Sequence, residues 1–141
     1  MPLRSCRPQV SVVASLLALV ALLAACSDSP VSPSPLAAFQ PQIVNVTDSF
    51  QLQATGLTTV SSSLTYTWQD TGTRATINHS TSTTAGTAHL TIRDANGVLM
   101  YDKDLSPSLN EPTATGTPGT WTVTLTVVNY SGSLNFSATK L

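Results

Sequence analysis

The sequence runs to 141 residues with a formal net charge of −1; 9% of its residues are charged and 41% are hydrophobic. That length fits one domain of ordinary size, and the apolar content excludes a wholly disordered chain. No lysine- or arginine-rich run occurs, so the electrostatic footprint that a phosphate backbone needs is missing and nucleic acid is excluded as a partner.

The first element in chain order is an address. Arg4 and Arg7 precede an apolar stretch from Val10 to Ala25, which ends in small residues directly before Cys26. A positive start, an apolar middle and a small-residue end make a secretory signal over residues 1–25. The run is too short for a permanent transmembrane helix, which needs about 20 apolar residues, and Ser11 and Ser15 interrupt it.

Leu23-Ala24-Ala25-Cys26 resembles the lipobox of bacterial lipoproteins. The resemblance implies cleavage before Cys26, a diacylglycerol on its thiol and a further fatty acyl chain, such as palmitate, on its new amino group. Two or more chains anchor stably, at ~0.8 kcal/mol per buried CH₂, so the membrane is an expected partner through Cys26. Ser27 stands where an aspartate in that family favours inner-membrane retention. The resemblance therefore implies a lipid anchor at the cell envelope, in the outer membrane if the cell has two. Cys6 leaves with the signal and residues 27–141 contain no cysteine, so the exported domain is expected to fold without a disulfide.

From Ser27 to Gln42 the composition shifts to serine, small residues and four prolines, at positions 30, 33, 35 and 41. Proline favours the extended polyproline conformation at ~3.1 Å per residue, which makes residues 26–42 a lipidated cysteine and a semi-rigid tether reaching about 50 Å.

Residues 43–141 read as strands. Ile43 to Val46, Phe50 to Ala54, Leu64 to Trp68 and Ala75 to Ile77 come first. A hairpin follows around Asp94-Ala95-Asn96-Gly97, because Asn-Gly supplies the positive φ angles of a type I′ turn. Either loop length there places Leu90, Ile92, Leu99 and Tyr101 on one face. In the run from Thr120 to Val127, odd positions are large and apolar and even positions are threonine. Asn129-Tyr130-Ser131-Gly132 reads as a turn into a last strand carrying Leu134, Phe136 and Ala138. Serine-, threonine- and glycine-rich breaks fall at residues 80–86 and 107–119. The fold class expected is all-β: a single antiparallel β-sandwich, immunoglobulin-like or jelly-roll, of about 7–8 strands over 43–141. Its core comprises Phe50, Leu52, Tyr66, Trp68, Leu90, Ile92, Trp121, Val123, Leu125, Val127, Leu134 and Phe136. The stretch from Leu90 to Leu99, with Gly119-Thr-Trp-Thr-Val and Tyr130-Ser-Gly-Ser-Leu-Asn-Phe, resembles bacterial pre-peptidase C-terminal domains, small β-sandwiches that accompany secreted enzymes.

Candidates for chemistry are few. His79 and His89 are the only histidines, and no Gly-x-Ser-x-Gly elbow or cysteine nucleophile accompanies them. One hairpin register sets His89 across from Asp102, a surface cross-strand pair. Two histidines fall short of the three or four ligands of a zinc site. Asp94, Asp102 and Asp104 share a hairpin and form the one lead toward calcium, although Asp94 suits a turn cap. For glycan stacking, Trp68, Trp121 and Tyr130 are the candidates: Trp68 and Trp121 each continue an inward-facing alternation, while Tyr130 sits in the expected turn and should be exposed. The chain thus reads as a non-enzymatic binding or structural module, without cofactor or metal, meeting a protein or glycan partner at the envelope. The alternatives are an accessory subunit of an envelope assembly, docking through a sheet edge, and a carbohydrate-binding module.

Overall fold

A computed structural model describes residues 34–105 and 107–141. The expected signal, the lipobox-like segment with Cys26, and the first part of the expected tether lie outside the described residues. Seven strands follow a short 3-10 turn at Ala37–Phe39: β1 Gln42–Val46, β2 Ser49–Asp70, β3 Ala75–His79, β4 Ser82–Arg93, β5 Leu99–Asp104, β6 Leu109–Pro112 and β7 Gly119–Lys140. All pair antiparallel in one sheet, as the alternating patterns predict.

Two strands organise the rest. β2 and β7 have 22 residues each and pair from Ser49↔Thr139 to Asp70↔Gly119. A straight strand of that length would span roughly 70 Å. Instead β2 folds back: the rings of Phe50 and Tyr66, both on β2, are 5.5 Å apart. The bend lies where the register slips three times, between Ala54 and Ser62. There, left-handed backbone at Gly56 (φ 69°) and Thr59 (φ 49°) on β2 faces Asn129 (φ 47°) and Gly132 (φ 141°) on β7. Bulges of this kind sharpen bend and twist. At Gly132 a side chain has no room, since a Cβ would lie 1.9 Å from the carbonyl oxygen of Ser82 on β4.

The bend turns one sheet into two layers. β1, the first half of β2, the second half of β7, β3 and β6 form one layer. The second half of β2, the first half of β7, β4 and β5 form the other. Inward residues of both make a single core. Trp68 and Trp121 meet edge to face at 5.7 Å, and Phe50 stacks on Phe136 at 5.8 Å. Each indole N–H is satisfied despite burial: Trp68 Nε1 donates to the Val46 carbonyl at 3.1 Å and Trp121 Nε1 to the Thr117 carbonyl at 2.8 Å.

Several local expectations are corrected. Residues 129–132 do not end a strand; β7 runs through them, and Tyr130, expected exposed, is fully buried. Its hydroxyl lies 3.1 Å from the Ser82 carbonyl and 3.0 Å from that of Ser133, and accepts from Thr83. Residues 50–54 and 64–68 likewise belong to one bent strand. Leu99 is exposed, because a bulge between Ile92 and Arg93 shifts the register and turns Met100 and Tyr101 inward. The breaks expected at 80–86 and 107–119 contain the start of β4 and all of β6. Leu36, within the tether composition, is fully buried in the core.

Candidate functional site

The outer face of the second layer gathers the polar chemistry. Because side chains alternate across a strand, the residues that bury Trp121, Val123, Leu125 and Val127 on β7 turn Thr120, Thr122, Thr124 and Thr126 outward. The registers of β2, β4 and β5 then bring outward residues into rows. Ser63, Thr126, His89 and Asp104 form one row; Thr65, Thr124, Thr91 and Asp102 the next; Thr67, Thr122 and Arg93 a third. Hydroxyls touch across the strands, at 3.3 Å for Ser63–Thr126 and 3.4 Å for Thr65–Thr124, while Thr120 donates to Gln69 at 3.1 Å. A hydroxyl both donates and accepts, so each pair keeps hydrogen-bonding capacity for an incoming group.

One corner of this face carries charge. His89 lies between two carboxylates on β5, with Nε2 2.6 Å from Asp102 Oδ1 and Nδ1 2.7 Å from Asp104 Oδ1. The bonds to Asp104 and then to Asp102 raise the imidazole's pKa against a smaller opposing effect of desolvation. Asp102 also accepts from Thr91 at 3.1 Å, and its own pKa is lowered by His89 first and Thr91 second. With both nitrogens engaged by carboxylates, His89 is suited to holding β5 against β4. It is poorly placed to act as a free base.

Asp94 lies at the other end of the hairpin. Its carboxylate accepts from the backbone N–H of Asn96 at 2.9 Å, Val98 at 2.8 Å and Thr117 at 2.8 Å. Burial pushes its pKa up, but these three donors outweigh that effect and hold it below the usual value. Asp94 is a turn cap, and Asp102 and Asp104 are brought to His89 rather than to it. Among the described residues, no group of three or more His, Cys, Asp or Glu is arranged to hold a metal ion.

His79 and His89 occupy different layers. His79 is buried in β3, and its Nε2 is 3.3 Å from the hydroxyl of Tyr101 on β5. Burial, reinforced by the neighbouring Glu111 carboxylate, raises the Tyr101 pKa. Glu111 on β6 is in turn ion-paired with Lys103 on β5. This chain of contacts ties the β5 edge of one layer to β3 and β6 of the other. Sequence reading missed it because β6 was hidden in a stretch read as a break.

The outer face of the first layer is uncharged and rich in amides. A groove of about 220 Å³ there is lined by Gln51, Asn78, Ser80, Asn135 and Ser137. Trp68, Trp121 and Tyr130, the stacking candidates, are all buried and offer no open ring face. A comparison with protein-family models and with curated proteins finds no match to this chain.

Proposed function

We propose that this chain is a lipid-anchored bacterial envelope protein whose β-sandwich is a non-enzymatic binding module. The anchor reading rests on Leu23-Ala24-Ala25-Cys26 and the proline-rich tether behind it. The observation carrying the binding reading is the in-register outer face of β2, β7, β4 and β5, whose rows of hydroxyls end in the His89, Asp102 and Asp104 corner. With Trp68, Trp121 and Tyr130 all buried, recognition there is polar, and a neutral polyhydroxylated glycan of the envelope is the chemistry that fits. Hydroxyls, carboxylates and a guanidinium at Arg93 match a sugar's vicinal diols better than they match an apolar or a polyanionic ligand.

Sedimentation with insoluble cell-wall glycan tests this reading. Thr124→Val leaves the β-branched shape and removes one central hydroxyl, so it should weaken retention while the fold survives. Equal retention of Thr124→Val, Thr65→Val and the parent chain, or no retention of any of them, would overturn the glycan reading.

A second reading, an accessory subunit docking by a sheet edge, is favoured by one observation: β1 is a terminal strand with all five residues exposed. The likeness to pre-peptidase C-terminal sandwiches fits either role.

A further inference from the structure

The two lateral edges of the sandwich are built differently. On one side β5 carries Asp102, Lys103 and Asp104, its Met100 carbonyl is taken by Ala114 N–H at 3.1 Å, and β6 contributes Glu111 and Pro112. Charges, proline and covering backbone are the devices that keep an edge from pairing with another chain. On the other side these devices are sparse: Pro41 stands just outside β1, and the Asp48 N–H covers the Gln69 carbonyl of β2. From Gln42 to Gln69 the sole charged residue is Asp48, and it is tied down by Thr71 N–H at 2.7 Å and Lys140 Nζ at 3.3 Å. β1 lies there as Gln-Ile-Val-Asn-Val, with Ile43 40%, Val44 49% and Val46 55% exposed. Beside it opens a cleft of about 590 Å³ lined by Asn45, Val46, Thr47, Thr67, Trp68, Gln69 and Thr120.

We propose that β1 is a self-pairing edge: it joins β1 of a second copy of this chain, antiparallel, about a dyad at Val44. The backbone fits this register. Val46 and Ser49 close the two-residue β1–β2 hairpin, so by the antiparallel alternation the N–H and C=O of Ile43 and Asn45 turn away from β2. In the proposed dimer Ile43 exchanges both bonds with the partner's Asn45, Asn45 does so with the partner's Ile43, and the two Val44 residues face each other as a non-hydrogen-bonded pair. The strand is neutral, so the identical copies meet without like-charge opposition.

The position of the tether selects a second copy as the occupant. The chain outside the described residues leads into Ser34, and the eight residues from there to Pro41, with Leu36 buried, connect directly to β1. Antiparallel pairing sets the starts of the two β1 strands roughly 14 Å apart along the sheet, four steps of ~3.4 Å, within the ~25 Å that residues 26–33 of each chain can reach. Both anchors can then sit in one bilayer. A five-residue edge buries far less than the ~1,200–2,000 Å² of a stable soluble dimer; confinement to a membrane supplies the missing effective concentration. That part of the inference rests on the anchored reading above.

The test is disulfide trapping in the full chain expressed in bacteria with its own leader. A non-hydrogen-bonded antiparallel pair has Cα atoms ~4.5 Å apart, within disulfide range, so Val44→Cys should give a covalent homodimer under mild oxidation. Val98→Cys, equally exposed on the β4–β5 turn at 56%, is the control and should link about a hundredfold more slowly. Adding Ile43→Pro to Val44→Cys removes an outward N–H without touching the β1–β2 ladder and should abolish trapping. Equal trapping of Val44→Cys and Val98→Cys would overturn the proposal, as would linkage of Val44→Cys to a different protein only. Disulfide dimers of the parent chain would instead report a free Cys26 and overturn the anchor while leaving the edge comparison readable.

Discussion

Replacing Gly132 by alanine probes the bend that makes two layers from one sheet. Its φ of 141° is a conformation that side chains rarely adopt, and the added Cβ would lie 1.9 Å from the Ser82 carbonyl oxygen and 3.2 Å from Thr83 Cα. Both neighbours are backbone of β4, so relief requires moving a strand. Backbone strain of about 1–3 kcal/mol combines with about 1–3 kcal/mol for forcing atoms into packed structure, giving a destabilisation of about 4 kcal/mol. At about 4 °C per kcal/mol for a domain of this size, the melting temperature should fall by about 16 °C. Gly56→Ala is the internal comparison, since Gly56 also has positive φ (69°) but no atom within 4 Å of an added Cβ. It should lose only about 1–2 kcal/mol. Calorimetry of the two variants decides the matter: equal melting temperatures would refute the close approach of β4 to the bend.

Tyr130→Phe removes a buried hydroxyl that lies between the Ser82 and Ser133 carbonyls, and denaturant unfolding should show a loss of about 1–3 kcal/mol; a loss below about 0.5 kcal/mol would contradict that role. At His89 the signs are set by linkage. Its folded pKa is raised, so its contribution is fully present below about pH 6.5 and is lost as pH climbs through the folded value; the lowered Asp102 pKa makes that partner's contribution present above about pH 4 and lost on acidification. The melting-temperature gap between the parent chain and His89→Ala should therefore be widest near about pH 5–6 and narrow toward about pH 9; a gap constant across that range would show that the imidazole's charge holds nothing.

Much of this fold is legible in the sequence, for an identifiable reason. Period-two alternation names the inward residues of each segment whatever their connections, which is why Trp68, Trp121, Leu125, Leu134 and Phe136 are all found in the core. Connections are harder. Asn129-Tyr130-Ser131-Gly132 has the composition of a hairpin turn, and its residues do adopt left-handed backbone at Asn129 and Gly132, but they bend one strand instead of reversing it. Turn chemistry reports local dihedral angles, and only pairing with β2 and β4 decides whether the chain turns back. The same limit governs the exposed face. Each outward threonine is predictable from its own strand, whereas the rows joining Ser63, Thr126, His89 and Asp104 exist only once strand order is known. Leu99 fails because a one-residue bulge inverts every side chain beyond it.

The proposed anchor at Cys26 would hold this domain, with its proposed glycan-binding face and pairing edge, beside a bilayer, and it can be read directly. Mass spectrometry of the N-terminal peptide, from protein extracted out of bacterial membranes, should find Cys26 as the first residue, bearing a diacylglycerol on sulfur. An uncleaved leader, or a first residue other than Cys26 with an unmodified thiol, would contradict the account.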